Sequence, residues 1–265
     1  MLSYEFMQNA FITATVISIL CGIIGVFVTA RRLSFLTHTM SEIGFSGASF
    51  GLWVGWSPLN GMLFFTFISS LIAGLFNRNR PLKGTVISLI SAFFMGLGVL
   101  FLSISKASAS YATNILFGSI VGISRHDVLQ ILGIAALVLM ILFLLYRHLK
   151  FDFFDAVGAQ TSMRYNWAIN LIFLVMMALT ISIVSQIVGS LLVFALLTLP
   201  AATAQFFGKS VHSLISFSIV FALIGTWLGL FLGYITNLPV TFFITTIETI
   251  LYLLAIGYQK LARHF

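Results

Sequence analysis

Apolar runs of about twenty residues recur along this chain, and no other feature constrains its fold as strongly. A run of that length matches an α-helix that crosses the hydrocarbon core of a bilayer. Of the 265 residues, 60% are hydrophobic and 7% are charged, so a water-soluble fold of this size is excluded. Transmembrane β-strands alternate apolar and polar residues, which the unbroken runs do not. The sequence therefore predicts an all-α, polytopic membrane protein.

Nine apolar segments can be delimited, and eight or nine of them are predicted to cross the membrane fully. They cover residues 10–30, 39–55, 59–76, 85–104, 128–145, 167–187, 189–207, 214–235 and 240–257. No polar gap is long enough for a soluble domain, so residues 1–265 are predicted to form one transmembrane domain. The first residues lack a basic stretch and include Glu5, so a cleaved signal peptide is not expected. Cys21 lies within an apolar run and is expected to pack there, without an intrachain disulfide.

The formal charge of +7 is explained by the excess of Lys and Arg that cytoplasmic loops of membrane proteins carry, and no nucleic-acid partner is expected. Nine alternating spans with an external N-terminus place most basic residues, and the C-terminus, on the cytoplasmic side. The cytoplasmic set is Arg31, Arg32, Arg78, Arg80, Lys83, Arg147, Lys150, Arg164, Lys209, Lys260 and Arg263. Only Lys106 and Arg125 fall outside.

Two ionisable residues, His38 and Glu42, stand four apart at the start of the second segment. On a helix this spacing places both side chains on one face. An imidazole nitrogen with a carboxylate oxygen suits a divalent first-row metal such as zinc or manganese. Two alternatives stay open: the pair is solvated near the cytoplasmic end, or it forms a simple ion pair. The spacing is not the His-Glu-x-x-His of zinc peptidases, and no third ligand is adjacent.

Gly47, Gly51 and Gly55 follow on the same stretch. Small residues at every fourth position let membrane helices approach closely. At about 100° per residue, Gly47 lies roughly 140° around the helix from Glu42. One face is therefore predicted to dock on a neighbouring helix while another faces a polar route, as at the wall of a transport pathway.

Glu248 lies inside the last apolar segment. It could line the pathway or form a hydrogen bond with Thr245 or Thr249 on its own helix, and we favour a structural role. Residues 208–210, Gly-Lys-Ser, imitate the end of a phosphate-binding loop, but the required upstream glycine is replaced by Thr203. Nucleotide binding by this chain is rejected, so an energising ATPase would have to be a separate subunit.

Residues 197–208 are typical of a helix that leaves the membrane. Pro200 favours a break, and Gly208 is a good helix stop. Phe206 and Phe207 at a cytoplasmic end would suit a docking surface for a partner protein, although lipid contact explains them equally well. Residues 114–119 are too short to span and suggest a re-entrant or surface helix.

Four stretches, taken together and in order, resemble the permease subunits of ABC importers for zinc, manganese and chelated iron. They are residues 31–36 (RRLSFL) with the following glycines, 114–124 (NILFGSIVGIS), 188–204 (VGSLLVFALLTLPAATA) and 237–240 (NLPV). The resemblance covers nearly the whole chain. It implies the fold of a type II ABC importer permease in a bacterial plasma membrane.

The resemblance also implies partners and residue roles. A homodimer of permeases would work with two cytosolic ATPase subunits and an extracellular metal-binding lipoprotein, in contact with membrane lipids. Members of the family usually carry Asp at the position of His38 and His at that of Glu42, so the ligand pair is swapped here. The ATPase-coupling helix would comprise Pro200, Ala201, Ala202, Thr203, Ala204, Gln205, Phe206, Phe207 and Gly208.

The predicted function is that of a non-enzymatic transport subunit for a divalent metal ion, zinc or manganese, with His38 and Glu42 as transient ligands and no permanently bound cofactor. One alternative is an ABC permease for a siderophore, another metal chelate or a vitamin, which predicts a wide, mostly apolar channel. An intramembrane metalloenzyme would need at least three convergent ligands and a general base. A secondary transporter would be distinguished by the lack of a co-purifying ATPase.

Overall fold

The computed structural model describes residues 5–76, 84–105, 114–118, 124–154, 166–190 and 192–262. Throughout these ranges the regular structure is helical, which confirms the all-α prediction. The helices are α1 (Glu5–Ala30), α2 (Ser34–Val54), α3 (Pro58–Phe76), α4 (Gly84–Ile104), α5 (Arg125–Phe154), α6 (Asn166–Val188), α7 (Val193–Ala204), α8 (Val211–Thr236) and α9 (Val240–Ala262). A single helical turn at residues 114–117 accounts for part of the predicted re-entrant or surface segment.

Within the described ranges, seven helices are long and apolar enough to cross a membrane: α1, α3, α4, α5, α6, α8 and α9. The chain is therefore a multi-pass membrane protein. Helix α2 has 21 residues but is rich in Ser, Thr and Gly and carries His38 and Glu42. Helix α7 has 12 residues, too few to span the hydrocarbon core. The predicted total of eight or nine helices that cross the membrane fully stays a prediction.

Two helix boundaries differ from the predicted segments in ways that matter for function. Helix α2 begins at Ser34, five residues before the predicted segment at 39, so His38 and Glu42 lie within one continuous helix. The predicted segment 189–207 is helical only over Val193–Ala204. Hydropathy located the apolar part of each segment, whereas helix ends depend on hydrogen bonding at the termini.

Local capping residues explain where two helices begin and end. Helix α2 ends at Gly55, whose φ of 84° is left-handed, and the Trp56 N–H donates to the Gly51 carbonyl at 2.7 Å. This is the C-terminal arrangement for which glycine is favoured. Ser210 is the N-cap of α8, and its hydroxyl accepts a hydrogen bond from the Ser213 N–H at 3.2 Å, as an N-cap serine does.

The described chain divides into two compact units. The first contains α1, the start of α5, most of α7, α8 and α9; the second contains α2, α3, α4, the rest of α5 and α6. The single domain over residues 1–265 stays a prediction.

In the first unit, α8 packs closely against α9 through glycines at every fourth position. Gly225, Gly229 and Gly233 lie directly against Glu248, Ile244 and Val240 of α9, respectively. Helix α1 also packs on α8, and the hydroxyls of Ser18 and Thr226 are hydrogen-bonded at 2.8 Å. Small residues and interhelical hydroxyl bonds are what hold membrane helices together where the hydrophobic effect between them is weak.

In the second unit, α2 lies in contact with α3, α4 and α6. Apart from Ser34, the Ser, Thr and Gly residues of α2 are buried, which explains how a helix of modest hydropathy is accommodated. Helices α3 and α6 are joined by a hydrogen bond of 2.8 Å between the hydroxyls of Thr66 and Ser182. Phe45 of α2 packs with Ile115 of the 114–117 turn, which brings that turn onto the core of this unit.

Candidate functional site

His38 and Glu42 lie side by side on α2. The distance from His38 Nδ1 to Glu42 Oε2 is 3.7 Å, and the exposed fractions of the two side chains are 40% and 14%. Glu42 Oε2 is buried and has no hydrogen-bond donor among the described residues. The pair therefore presents one nitrogen and one carboxylate oxygen together, with the imidazole on the accessible side.

The position of the pair along α2 is off centre. Glu42 lies eight residues after Ser34, which is about 12 Å along a helix whose 21 residues extend about 31 Å. The pair is thus closer to the end of α2 that follows Arg31 and Arg32 than to the Gly55 end.

The donor set contains two of the ligand types that divalent first-row metals use. Across the part of the chain that the structure describes, no three His, Cys, Asp or Glu side chains come together. Two ligands from one chain leave coordination positions for water, for other oxygen atoms or for a second copy of the chain. Such an arrangement can hold a divalent cation transiently.

The opposite side of α2 borders an apolar cleft of about 440 Å³ between α2, α3 and α4. Its two hydroxyl-bearing lining residues, Thr39 and Ser69, donate to carbonyls of their own helices, those of Phe35 and Thr66. Apart from these two hydroxyls, the lining residues of the cleft are apolar. Helix α2 separates this apolar side from the side that carries His38 and Glu42.

Two of the three predicted packing glycines lie in a close helix contact. Gly47 and Gly51 of α2 both face Gly61 of α3, and a Cβ on Gly47 would overlap the Gly61 carbonyl. Gly55 has a different environment, since no atom lies within 4 Å of the position of an added Cβ. Glycine is favoured at position 55 because the backbone there is left-handed, which ends α2.

A further polar contact of α2 was not predicted from the sequence. The Ser41 hydroxyl donates to the backbone carbonyl of Ser190, which lies between α6 and α7. Ser41 immediately precedes Glu42, so this bond attaches the part of α2 that carries Glu42 to an interruption in the helical structure. Sequence reasoning treated residues 189–207 as one apolar segment and therefore could not find it.

The predicted coupling segment is largely covered. Helix α7 continues through Pro200 to Ala204, so the expected break at Pro200 does not occur. Four of the five residues from Pro200 to Ala204 are buried, and exposure begins at Gln205. The helix can continue because a proline in a helix forgoes one backbone hydrogen bond without ending the helix in every case.

The aromatic residues that follow α7 fold back onto their own unit. The Phe207 ring lies 6.0 Å from that of Tyr258 in a stacked arrangement and also contacts Phe217 and Phe221. Phe206 contacts Tyr252. Phe207 remains 38% exposed, so the surface at this end consists of Gln205, one face of Phe207 and the residues up to Ser210.

Glu248 of α9 is fully buried, and neither of its carboxylate oxygens has a hydrogen-bond partner among the described residues. The hydroxyls of Thr245 and Thr249 donate to carbonyls of α9 itself, so the predicted hydrogen bond from either threonine is not formed. The carboxylate packs directly on Gly225 of α8.

Comparisons with known proteins agree with one another. A family described as "ABC 3 transport family" matches residues 3–259. The manganese import system permease protein ScaB of Streptococcus parasanguinis is 29% identical over 253 residues, which cover 95% of this chain and 90% of that protein. The manganese transport system membrane protein MntC of Listeria monocytogenes is 29% identical over 261 residues, covering 96% and 91%. The solved structure of PsaBC from Streptococcus pneumoniae in complex with Fab superposes with a TM-score of 0.84 at 27% identity, covering 95% of this chain and 91% of that one.

Proposed function

The chain belongs to the ABC 3 transport family, and from this premise we propose that it is the permease subunit of an ATP-driven importer for a divalent metal ion. The observation that carries the proposal is the adjacency of His38 and Glu42 on α2: His38 Nδ1 lies 3.7 Å from Glu42 Oε2, and the His38 side chain is 40% exposed. ATP hydrolysis belongs to a separate subunit, and the chain itself binds no permanent cofactor.

The ion binds transiently to His38 and Glu42. A neutral imidazole donates its lone pair, and the carboxylate compensates part of the ion's charge. Ligands on a transport route have to be few and exchangeable, because binding must be strong enough for entry and weak enough for exit. Two ligands per chain meet this condition, and the same pair from a second copy would complete the coordination in a homodimer.

Manganese is the favoured ion, and zinc is the second candidate. Relatives over nearly the whole length are named as manganese import and manganese transport proteins. The carboxylate oxygen of Glu42 is a ligand type that suits manganese, whereas the imidazole nitrogen of His38 is one that suits zinc. A metal chelate remains the alternative cargo; it would not need the ligand pair, which is the feature that separates the two proposals.

The assembly that we propose has two permease copies, cytosolic ATPase subunits and an extracellular metal-binding lipoprotein in a bacterial plasma membrane. One transmembrane domain over residues 1–265 crosses the membrane eight or nine times, with the N-terminus outside and the C-terminus in the cytoplasm. The distribution of Lys and Arg supports this orientation. ATP binding tilts the two halves, and the surface around the exposed Gln205 and Phe207 contacts the ATPase.

The direct test is uptake of Mn²⁺ and Zn²⁺ by cells that express the complete complex. We expect His38→Ala, Glu42→Ala and the double variant to lose uptake while the complex still assembles. His126→Ala serves as the matched control, because His126 is an exposed histidine outside the pair. Normal uptake by the assembled double variant would remove both residues from the mechanism.

A double variant with the two ligands exchanged tests the chemistry rather than the mere presence of these side chains. The double substitution His38→Asp with Glu42→His exchanges the positions of the nitrogen and carboxylate ligands. Because it keeps one ligand of each type four residues apart, we expect it to retain uptake. Loss of uptake in this variant, with assembly intact, would mean that the order of the ligands matters as much as their identity.

A further inference from the structure

Ser190 lies where the helical structure is interrupted. Helix α6 ends at Val188 and α7 begins at Val193, and Gly189 between them has a left-handed φ of 85°. A side chain there would be strained, and a Cβ on Gly189 would also overlap the backbone of residues 116–118. Glycine is therefore required at position 189, both by the left-handed backbone and by the close contact with residues 116–118.

The backbone groups of Ser190 are both engaged by other segments. Its N–H donates to the Ile115 carbonyl at 3.1 Å, and its carbonyl accepts the hydrogen bond from the Ser41 hydroxyl. Three segments therefore converge on this residue: α2, the 114–117 turn and the interruption after α6. Since Ser41 precedes Glu42 directly, Ser190 is held beside the ligand-bearing part of α2.

Unlike the backbone groups of Ser190, its hydroxyl forms no hydrogen bond with the described residues. The residue is 2% exposed, and its Oγ has no hydrogen-bond partner among the described residues. The buried serines of α6 behave differently: Ser182 and Ser185 donate to the carbonyls four residues earlier, at 3.0 and 2.7 Å. The left-handed turn at Gly189 removes Ser190 from the helix and so from this default partner.

We propose that the Ser190 hydroxyl is an oxygen ligand for the transported ion, on the route that includes Glu42. This inference rests on the proposed function and adds a residue that determines specificity. Interrupted helices in membrane proteins expose polar groups where they line a cavity or an ion path. A buried polar atom almost always has a partner, and a passing cation supplies one. Hydroxyl and carboxylate oxygens together favour a hard ion such as Mn²⁺ over softer ones.

The test compares uptake of Mn²⁺, Zn²⁺ and Cd²⁺ by the complete complex carrying Ser190→Ala or Ser190→Cys. We expect Ser190→Ala to raise KM for Mn²⁺ about tenfold with a smaller change in maximal rate, because one oxygen ligand is lost. We expect Ser190→Cys to shift the preference from Mn²⁺ towards Zn²⁺ and Cd²⁺, because sulfur is the softer ligand. A change in metal preference is a result that a purely structural serine would not produce.

Ser185 provides matched controls on the preceding helix. Ser185→Ala and Ser185→Cys alter an equally buried serine whose hydroxyl is already bonded to the Ile181 carbonyl, so they should leave the ratio between the metals unchanged. If Ser190→Ala does not assemble, Ser190→Cys, which keeps a side chain of similar shape, carries the test of metal preference.

Unchanged preference in the assembled Ser190 variants, or the same shift in the Ser185 variants, would overturn the inference. Either result would leave the proposed function standing, since wild-type uptake and its dependence on His38 and Glu42 are measured independently. Absence of ATP-dependent uptake by the wild-type complex would instead overturn the proposed function itself.

Discussion

The contact between α2 and α3 at Gly47 allows the packing argument to be tested quantitatively by Gly47→Ala. An added Cβ would overlap the Gly61 carbonyl and lie 2.7 Å from Phe65 Cβ. These are atoms of the backbone and of the first side-chain carbon, which cannot rotate away as the end of a flexible side chain could. The two helices would therefore have to separate.

The expected loss of stability in Gly47→Ala can be worked out by comparison with Gly96→Ala. No atom lies within 4 Å of a Cβ added to Gly96 on α4, so this variant gains the higher helix propensity of alanine without a steric cost. The same gain applies to Gly47→Ala and cancels between the two. The remaining difference is the overpacking term, about 1–3 kcal/mol. At about 2–4 °C per kcal/mol for a chain of this size, Gly47→Ala should melt about 2–12 °C below Gly96→Ala.

Thermal unfolding of the purified protein can be followed with a fluorogenic thiol reagent, because the chain has one cysteine, Cys21, and it is buried. Circular dichroism at the same temperatures supplies a second probe of helix loss. Equal melting temperatures for Gly47→Ala and Gly96→Ala, or a higher one for Gly47→Ala, would refute close approach of α2 and α3 at this position.

Three further predictions concern other parts of the chain. Glu248→Gln should fold as stably as wild type and retain uptake, because the carboxylate has no partner to lose among the described residues; a stable variant without uptake would assign Glu248 to transport. Ser182→Ala should lower the free energy of unfolding by about 0.6 kcal/mol, typical of a hydroxyl bond between membrane helices; no change in melting temperature would argue against its bond with Thr66. In intact cells, an impermeant maleimide should label Ser57→Cys but reach Ser210→Cys only after permeabilisation; the reverse pattern would invert the proposed orientation.

Much of the helical framework could be predicted because it depends on local composition. An apolar run of about twenty residues satisfies its backbone internally as a helix, which is why the segments around α1, α3 and α8 were found. Spacing alone also placed His38 and Glu42 on one face, because a helix brings residues four apart together.

The exposure of the predicted coupling segment could not be read from the sequence in the same way. The sequence predicted that residues 197–208 form a helix leaving the membrane, and the family resemblance implied that residues 200–208 form the ATPase-coupling helix. The structure buries most of Pro200–Ala204 and turns Phe206 and Phe207 onto α8 and α9. Whether an aromatic side chain faces a partner or its own unit depends on which helix lies beside it, and that is a property of tertiary packing.

By itself the sequence determined a multi-pass helical bundle, the pairing of an imidazole with a carboxylate and the glycines that permit close approach. Only the tertiary structure decided that Gly47 packs while Gly55 ends a helix, and that Ser190 is held beside Ser41, its hydroxyl without a partner in the part of the chain that the structure describes. The physical reason is the range of the interactions. Helix propensity and spacing act over a few residues, whereas the contact between Ser41 and Ser190 joins positions 149 residues apart, which no local pattern encodes.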